Sequence, residues 1–140
     1  AMGFAPKWFG MDGMDGILKV EGFDTALAEG LMLITPFSAD GEDELTKNFV
    51  ANFEEKYGET PNQFAADAYD GVYIIKAALE KAGATPDMDA STLCDALKGA
   101  MTEITVDGLT GASMTWDETR EPSKEPKAVV IQDGAYVGME

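Results

Sequence analysis

Apolar residues recur at steps of three and four through Ala65, Ala68, Tyr69, Val72, Ile75 and Leu79, which places them on one face of a helix. Asp67, Asp70, Lys76, Glu80 and Lys81 fall largely elsewhere. The spacing predicts a long amphipathic helix over residues 61–83, its apolar face in the core and its charged back in water. Pro61 cannot extend what precedes it, Asn62 is an N-cap residue type, and Gly83 supplies the left-handed stop. Asp67 and Asp70 sit early and Lys81 late, as the helix dipole favours. Fully burying Val72, Ile75 and Leu79 would contribute about 1.5–3 kcal/mol each before the ordering cost. Such a helix needs a sheet or other helices to lie on.

The same procedure predicts a second helix over residues 43–57, from Leu45, Phe49, Phe53 and Tyr57 at steps of four, with Gly58 as its stop. A third follows a cap at Asp89 or Ser91 and carries Leu93, Leu97 and Met101. Strand signals surround these helices. Lys7-Trp8-Phe9-Gly10 reads as the end of a short strand, and Leu31-Met32-Leu33-Ile34-Thr35-Pro36-Phe37 as a buried strand or a crossing between two bodies. Residues 17–27 read as a short helix or turn. Ile104 with Val106, and Ser113 to Trp116, read as short strands. Residues 128–131 and 135–137 form a hairpin about Gln132-Asp133-Gly134.

Composition narrows the partners. Ten Lys and Arg against 26 Asp and Glu give a net charge of −16 over 140 residues, with no basic cluster, so nucleic acid and anionic membranes are poor partners. The length suits one domain or a piece of one. No apolar window spans a bilayer and no signal-peptide pattern opens the chain; Ala1-Met2 reads as a cloning remnant before a start methionine. The single Cys94 excludes an intrachain disulfide, and its place beside Leu93 and Leu97 predicts a small buried hydrophobe. There is no His, hence neither the commonest general base nor the commonest transition-metal ligand. The loop Gly10-Met11-Asp12-Gly13-Met14-Asp15-Gly16 fits neither a dinucleotide fingerprint nor a calcium loop. No catalytic residue, metal site or cofactor is nominated, and an enzyme is not expected.

Several segments carry a resemblance in their order and spacing. They are Phe9-Gly10 with Asp12-Gly13, Ala28-Glu29-Gly30 before Thr35-Pro36-Phe37, Phe49 through Tyr57-Gly58 before Thr60-Pro61, and Phe64 through Asp70. Leu79 through Gly83, Leu109-Thr110-Gly111 and Met114-Thr115-Trp116-Asp117 continue the series. Together they resemble the branched-chain amino-acid ABC transporter substrate-binding proteins, of the type I periplasmic binding protein fold. The resemblance implies an α/β chain, a partial fold of Rossmann-like lobes amounting to about the C-terminal third, with three main helices and short strands. By that comparison residues 1–30 give a second-lobe strand and loop and residues 31–37 an interlobe crossing. Residues 38–108 would be a first-lobe helical segment, and residues 109–140 the return crossing and a second-lobe β-hairpin.

The implied function is capture of leucine, isoleucine or valine between two lobes, followed by delivery to an ABC permease, at a periplasmic or extracellular address. Asp12 matches the position that holds the ligand ammonium, an attraction of roughly 4 kcal/mol at about 4 Å and an effective dielectric near 20, before desolvation. Phe64 matches the position that covers the aliphatic side chain, and Tyr69 could offer its hydroxyl. Each has a structural alternative: Asp12 as a solvated loop residue, Phe64 as a packing staple at a helix start, Tyr69 as a core residue with one hydrogen bond. Trp116 reads as interlobe or core packing. A different class of function is a truncated, non-binding fragment that persists as a homo-oligomer or domain swap, because helices without their sheet leave apolar faces to cover.

Overall fold

The computed structural model describes residue 3 and residues 5–139; the cloning remnant expected at Ala1-Met2 lies outside the described residues. Among the described residues three α-helices and four strands form, an α/β chain. The helices are α1 (Glu44–Tyr57), α2 (Gln63–Ala82) and α3 (Ala90–Met101). The strands are β1 (Phe9–Gly10), β2 (Met32–Thr35), β3 (Lys127–Gln132) and β4 (Ala135–Met139), with short 3-10 turns at Asp12–Met14, Ile17–Lys19 and Thr25–Ala28. No helix is long and apolar enough to cross a membrane among the described residues. The chain packs as two compact units. One comprises the residues up to Phe64 and those from Pro126 onward, and the other is Ala65–Glu125.

The first unit is built on the sheet, in order β1-β2-β3-β4. β1 runs parallel to β2, while β2 with β3 and β3 with β4 are antiparallel. Gly10 permits the first pairing, since a Cβ there would lie 2.4 Å from Leu33 Cδ2 and 2.6 Å from Met14 Sδ. β2 alternates: Leu33 and Thr35 are buried while Ile34 is exposed, so the apolar run is buried on one face only. The hairpin turns through Asp133 (φ 52°) and Gly134 (φ 74°), the left-handed pair that Asp-Gly supplies at least strain. Ala28, Leu31, Leu33, Val129 and Ile131 form the core, with Ile17, Leu18, Phe23 and Tyr136 packed against it.

α1 belongs to this unit and follows its sequence signals. The Asp43 carboxylate accepts from the Thr46 N–H at 2.9 Å, and Gly58 closes the helix at φ 73°. Phe37 meets Phe49 edge-on at 5.9 Å, and Phe49, Phe53 and Tyr57 continue the aromatic row at steps of four.

In the second unit the buried face of α2 is rotated from the expected one, of which Ala65, Tyr69 and Leu79 are half-buried. Val72 and Ile75, predicted as core, are 66% and 58% exposed, while Ala66, Asp70 and Ala78 are buried. The core here joins Ala78 to Ala100, Ile104, Val106 and Met114, with Ile74, Ala77, Leu97, Met101 and Trp116 against them. Small residues carry the packing face because they let neighbouring segments approach closely, and the four strands of the sheet all lie in the other unit. Ile104 to Trp116 make only isolated bridges, Val106 with Met114 and Trp116 with Pro122. Cys94 is exposed, not buried as its stripe suggested.

The Thr46 N–H holds the Asp43 carboxyl below the ordinary aspartate range. A depressed folded pKa stabilises the fold at pH above the unfolded value, and the contribution is lost as pH falls through the folded one. Asp43→Ala is therefore expected to lower stability by about 1 kcal/mol at neutral pH. Urea unfolding followed by ellipticity should show the gap between parent and variant closing below the depressed pKa; a gap independent of pH would contradict a carboxylate cap.

Candidate functional site

The first helical N–H groups of α2 have no partners within the helix, and a distant carboxylate takes one of them. Asp15 Oδ2 accepts from the Gln63 N–H at 2.9 Å, while its Oδ1 accepts from the Gly16 N–H at 2.8 Å. The anion at this N-terminus is thus Asp15, where the dipole favours it. Asp67 and Asp70, expected to play that part, lie beyond the first turn, which holds no acid.

The Gln63 side chain, 1% exposed, extends the network. Its Nε2 donates to the Asp12 carbonyl at 2.7 Å, and its Oε1 accepts from the Thr35 hydroxyl at 3.0 Å. Thr35 in turn accepts from the Phe37 N–H at 3.2 Å. Gly16 also donates to the Tyr136 hydroxyl at 2.9 Å; burial pushes the pKa of Tyr136 up. The loop of residues 12–16, the end of β2 and the start of α2 are in this way one hydrogen-bonded body.

That body holds the backbone of Asp12 to the start of the helix that carries Phe64, two of the three residues the sequence nominates. Asp12 is exposed, and its carboxylate has no hydrogen bond or ion pair among the described residues. Phe64, next to Gln63, is 48% exposed. Gln63 ties the Asp12 backbone to the helical turn that presents the Phe64 ring. Tyr69 belongs to the second unit, where its ring lies 4.8 Å from that of Tyr73. A hydrogen bond with Tyr73, then burial, holds its phenol above the ordinary tyrosine pKa.

A cavity of about 520 Å³ also lies in the first unit, lined by Leu18, Leu33, Phe37, Val50, Val129 and Tyr136 together with Thr35 and Gln63. Neither Asp12 nor Phe64 lines it. Its buried Gln63 and Thr35 bond to each other, and Gln63 also to the Asp12 carbonyl, so among the described residues these two side chains are already satisfied.

The second unit holds a carboxylate that the periodicity assigned to water. Asp70, 2% exposed, accepts from the Leu109 N–H (2.8 Å), the Thr110 N–H (2.8 Å) and the Thr110 hydroxyl (2.7 Å). Gly108 leaves room for it, since a Cβ there would lie 2.6 Å from Asp70 Cγ. With every bond directed at the chain's own loop, Asp70 is an anchor. Periodicity marks none of Asp15, Gln63 and Asp70 as an anchor; the sequence signals are an acid inside a glycine-rich loop and a glutamine opening a helix.

Residues 1–135 match the periplasmic binding protein family, and the chain belongs to that family. Among solved structures it is similar to the leucine-binding protein LivK of Thermotoga maritima (22% identity, TM-score 0.77), covering 99% of this chain and 37% of that one. It is similar to the substrate-binding protein LivJ of a branched-chain amino acid transporter from Streptococcus pneumoniae, solved with isoleucine (24%, TM-score 0.75, 99% and 39% covered). An ABC transporter substrate-binding protein from Desulfitobacterium hafniense, solved with Leu, shares 25% identity at TM-score 0.67, with 82% and 33% covered. No curated protein matches the chain. The chain thus spans between a third and two fifths of these structures and has a partial periplasmic-binding-protein fold.

Asp70→Ala should lower stability by about 3 kcal/mol, because it leaves two buried N–H groups without acceptors. Gly108→Ala should cost about 1–3 kcal/mol by overpacking the carboxylate. The double variant should be no less stable than Asp70→Ala alone, since the new methyl enters vacated space. Strictly additive losses in urea unfolding would mean that the two residues do not oppose each other.

Proposed function

We propose that the chain contributes one side of the ligand site in a solute-binding component of ABC transport for branched-chain amino acids, acting outside the cytoplasm without catalysis. The observation that carries this is the buried Gln63, which ties the backbone of Asp12, whose carboxylate is unengaged among the described residues, to the helical turn of the half-exposed Phe64. An ammonium group needs the first and an aliphatic side chain the second, and the two together suit leucine, isoleucine or valine. The Leu and isoleucine bound in two of the similar structures support the same class. Asp12 pairs with the ammonium and Phe64 shields the hydrocarbon. Tyr69 has the smaller part, its hydroxyl being engaged with Tyr73. The ligand carboxylate is held by residues outside this chain, and the loaded protein delivers to a permease.

A ligand at a hundred times its dissociation constant stabilises by about 2.7 kcal/mol, which at this size is a shift of a few degrees. Thermal unfolding with millimolar leucine, isoleucine or valine should show such a shift, and Asp12→Asn should weaken the apparent affinity by about tenfold or more, a loss of about 1.4 kcal/mol. Equal shifts with glutamate, or shifts that survive Asp12→Asn, would sink the assignment of Asp12.

A second reading rests on the exposed Val72 and Ile75. A wide apolar helix face is unusual on a lone monomer, and a second copy of the chain is one way to cover it. Ile75→Lys should then reduce the sedimentation coefficient to that of a monomer with little change in the urea midpoint extrapolated to low protein concentration. A parent chain already monomeric at high concentration would remove this reading.

A further inference from the structure

The second unit carries a cavity of about 470 Å³ that the proposed ligand site does not use. Leu93, Leu97 and Met101 of α3, with Trp116, give it apolar walls, and Lys98 and Arg120 stand among its lining residues. Arg120 is the only arginine in a chain of net charge −16. It also occupies a backbone geometry that arginine does not favour. The Arg120 N–H donates to the Asp117 carbonyl at 3.0 Å, closing a tight turn that places Arg120 at φ 68°, where glycine or asparagine is the ordinary occupant. The Trp116–Pro122 bridge brackets that turn.

Among the described residues no ion pair engages the Arg120 guanidinium. Asp117, an acid that also lines the cavity, directs Oδ1 to the N–H and hydroxyl of Thr119. Lys98 is paired with Asp95 at 3.0 Å. That bond raises the Lys98 pKa, while the like charge of Arg120 works against it, so the two cations sense each other. An unpaired guanidinium held in a strained turn over an apolar cavity is an arrangement that an anion would complete.

We propose that this cavity binds a small apolar monocarboxylate, its hydrocarbon body against Trp116, Leu97 and Met101 and its carboxylate forked on Arg120. The guanidinium offers two parallel donors that match a carboxylate, and Lys98 adds a second positive charge. The volume lies within the range of small-molecule sites. The site lies wholly in the second unit and is independent of Asp12 and Phe64.

Cys94, the only thiol, is exposed and lines the same cavity, so its alkylation by uncharged iodoacetamide reports occupancy. In the full chain, millimolar 4-phenylbutyrate should slow that reaction several-fold, while uncharged 4-phenylbutyramide should leave it near the ligand-free rate. Arg120→Gly removes the guanidinium and relieves the positive φ, so it should unfold no earlier than the parent and should abolish the protection. Lys98→Gln should weaken it. Equal protection by acid and amide, protection that survives Arg120→Gly, or no protection in a parent that melts cooperatively overturns the proposal. So does a rate that falls with protein concentration and ignores the acid, which would place a second copy over the cavity.

Discussion

The first unit depends on how the N-terminus of α2 is satisfied. A helix start that enters a packed body must find acceptors for its free N–H groups, and here Asp15 provides one from a loop 48 residues away. The same turn places Gln63 where its amide has no water, so both ends of the side chain must find partners. The Asp12 carbonyl and the Thr35 hydroxyl supply them. Three segments distant in sequence are thereby held in one register by a few bonds. Losing any member would leave a buried polar group unmatched and would release the loop that carries Asp12.

The second unit uses the same device, a carboxylate that accepts from backbone N–H groups of a distant segment. Asp70 takes a buried position with no cation beside it, and three donors from Leu109 and Thr110 stand in for water. Its bonds pin a segment that forms no extended strand of its own. This explains the rotation of α2: the face carrying Ala66, Asp70 and Ala78 packs against its own unit's loops, and the bulkier Val72 and Ile75 face outward.

Helix ends and the hairpin were legible because their signals are local. Asp43, Gly58, Asp89 and the Asp133-Gly134 pair act on backbone groups within a few residues, so residue type and position suffice. The buried face of α2 was not legible, since periodicity finds a stripe but not what the stripe meets. Alanines at 66 and 78 carry little hydrophobic signal yet take the tight packing, and Asp70 looks like a surface acid until Thr110 is placed opposite it. Cys94 shows the same limit: Leu97 on its stripe packs against the core, while Cys94 itself is exposed and borders an open cavity. Of the candidate site, Asp12, Phe64 and Tyr69 came from resemblance alone, and nothing in their spacing pointed to Asp15 or Gln63.

Asp12 and Asp15 stand three residues apart in one loop, and their surroundings divide them. Asp15 spends its oxygens on Gly16 and Gln63, which builds the platform. Asp12 contributes its carbonyl to that platform and keeps its carboxylate unengaged among the described residues. A loop held only by its acids' side chains could not leave one of them free. Fixing Asp12 through its backbone would let the charge meet a ligand without the reorganisation that weakens a flexible site. The two carboxylates are therefore not redundant: one supplies the rigidity that would make the other selective.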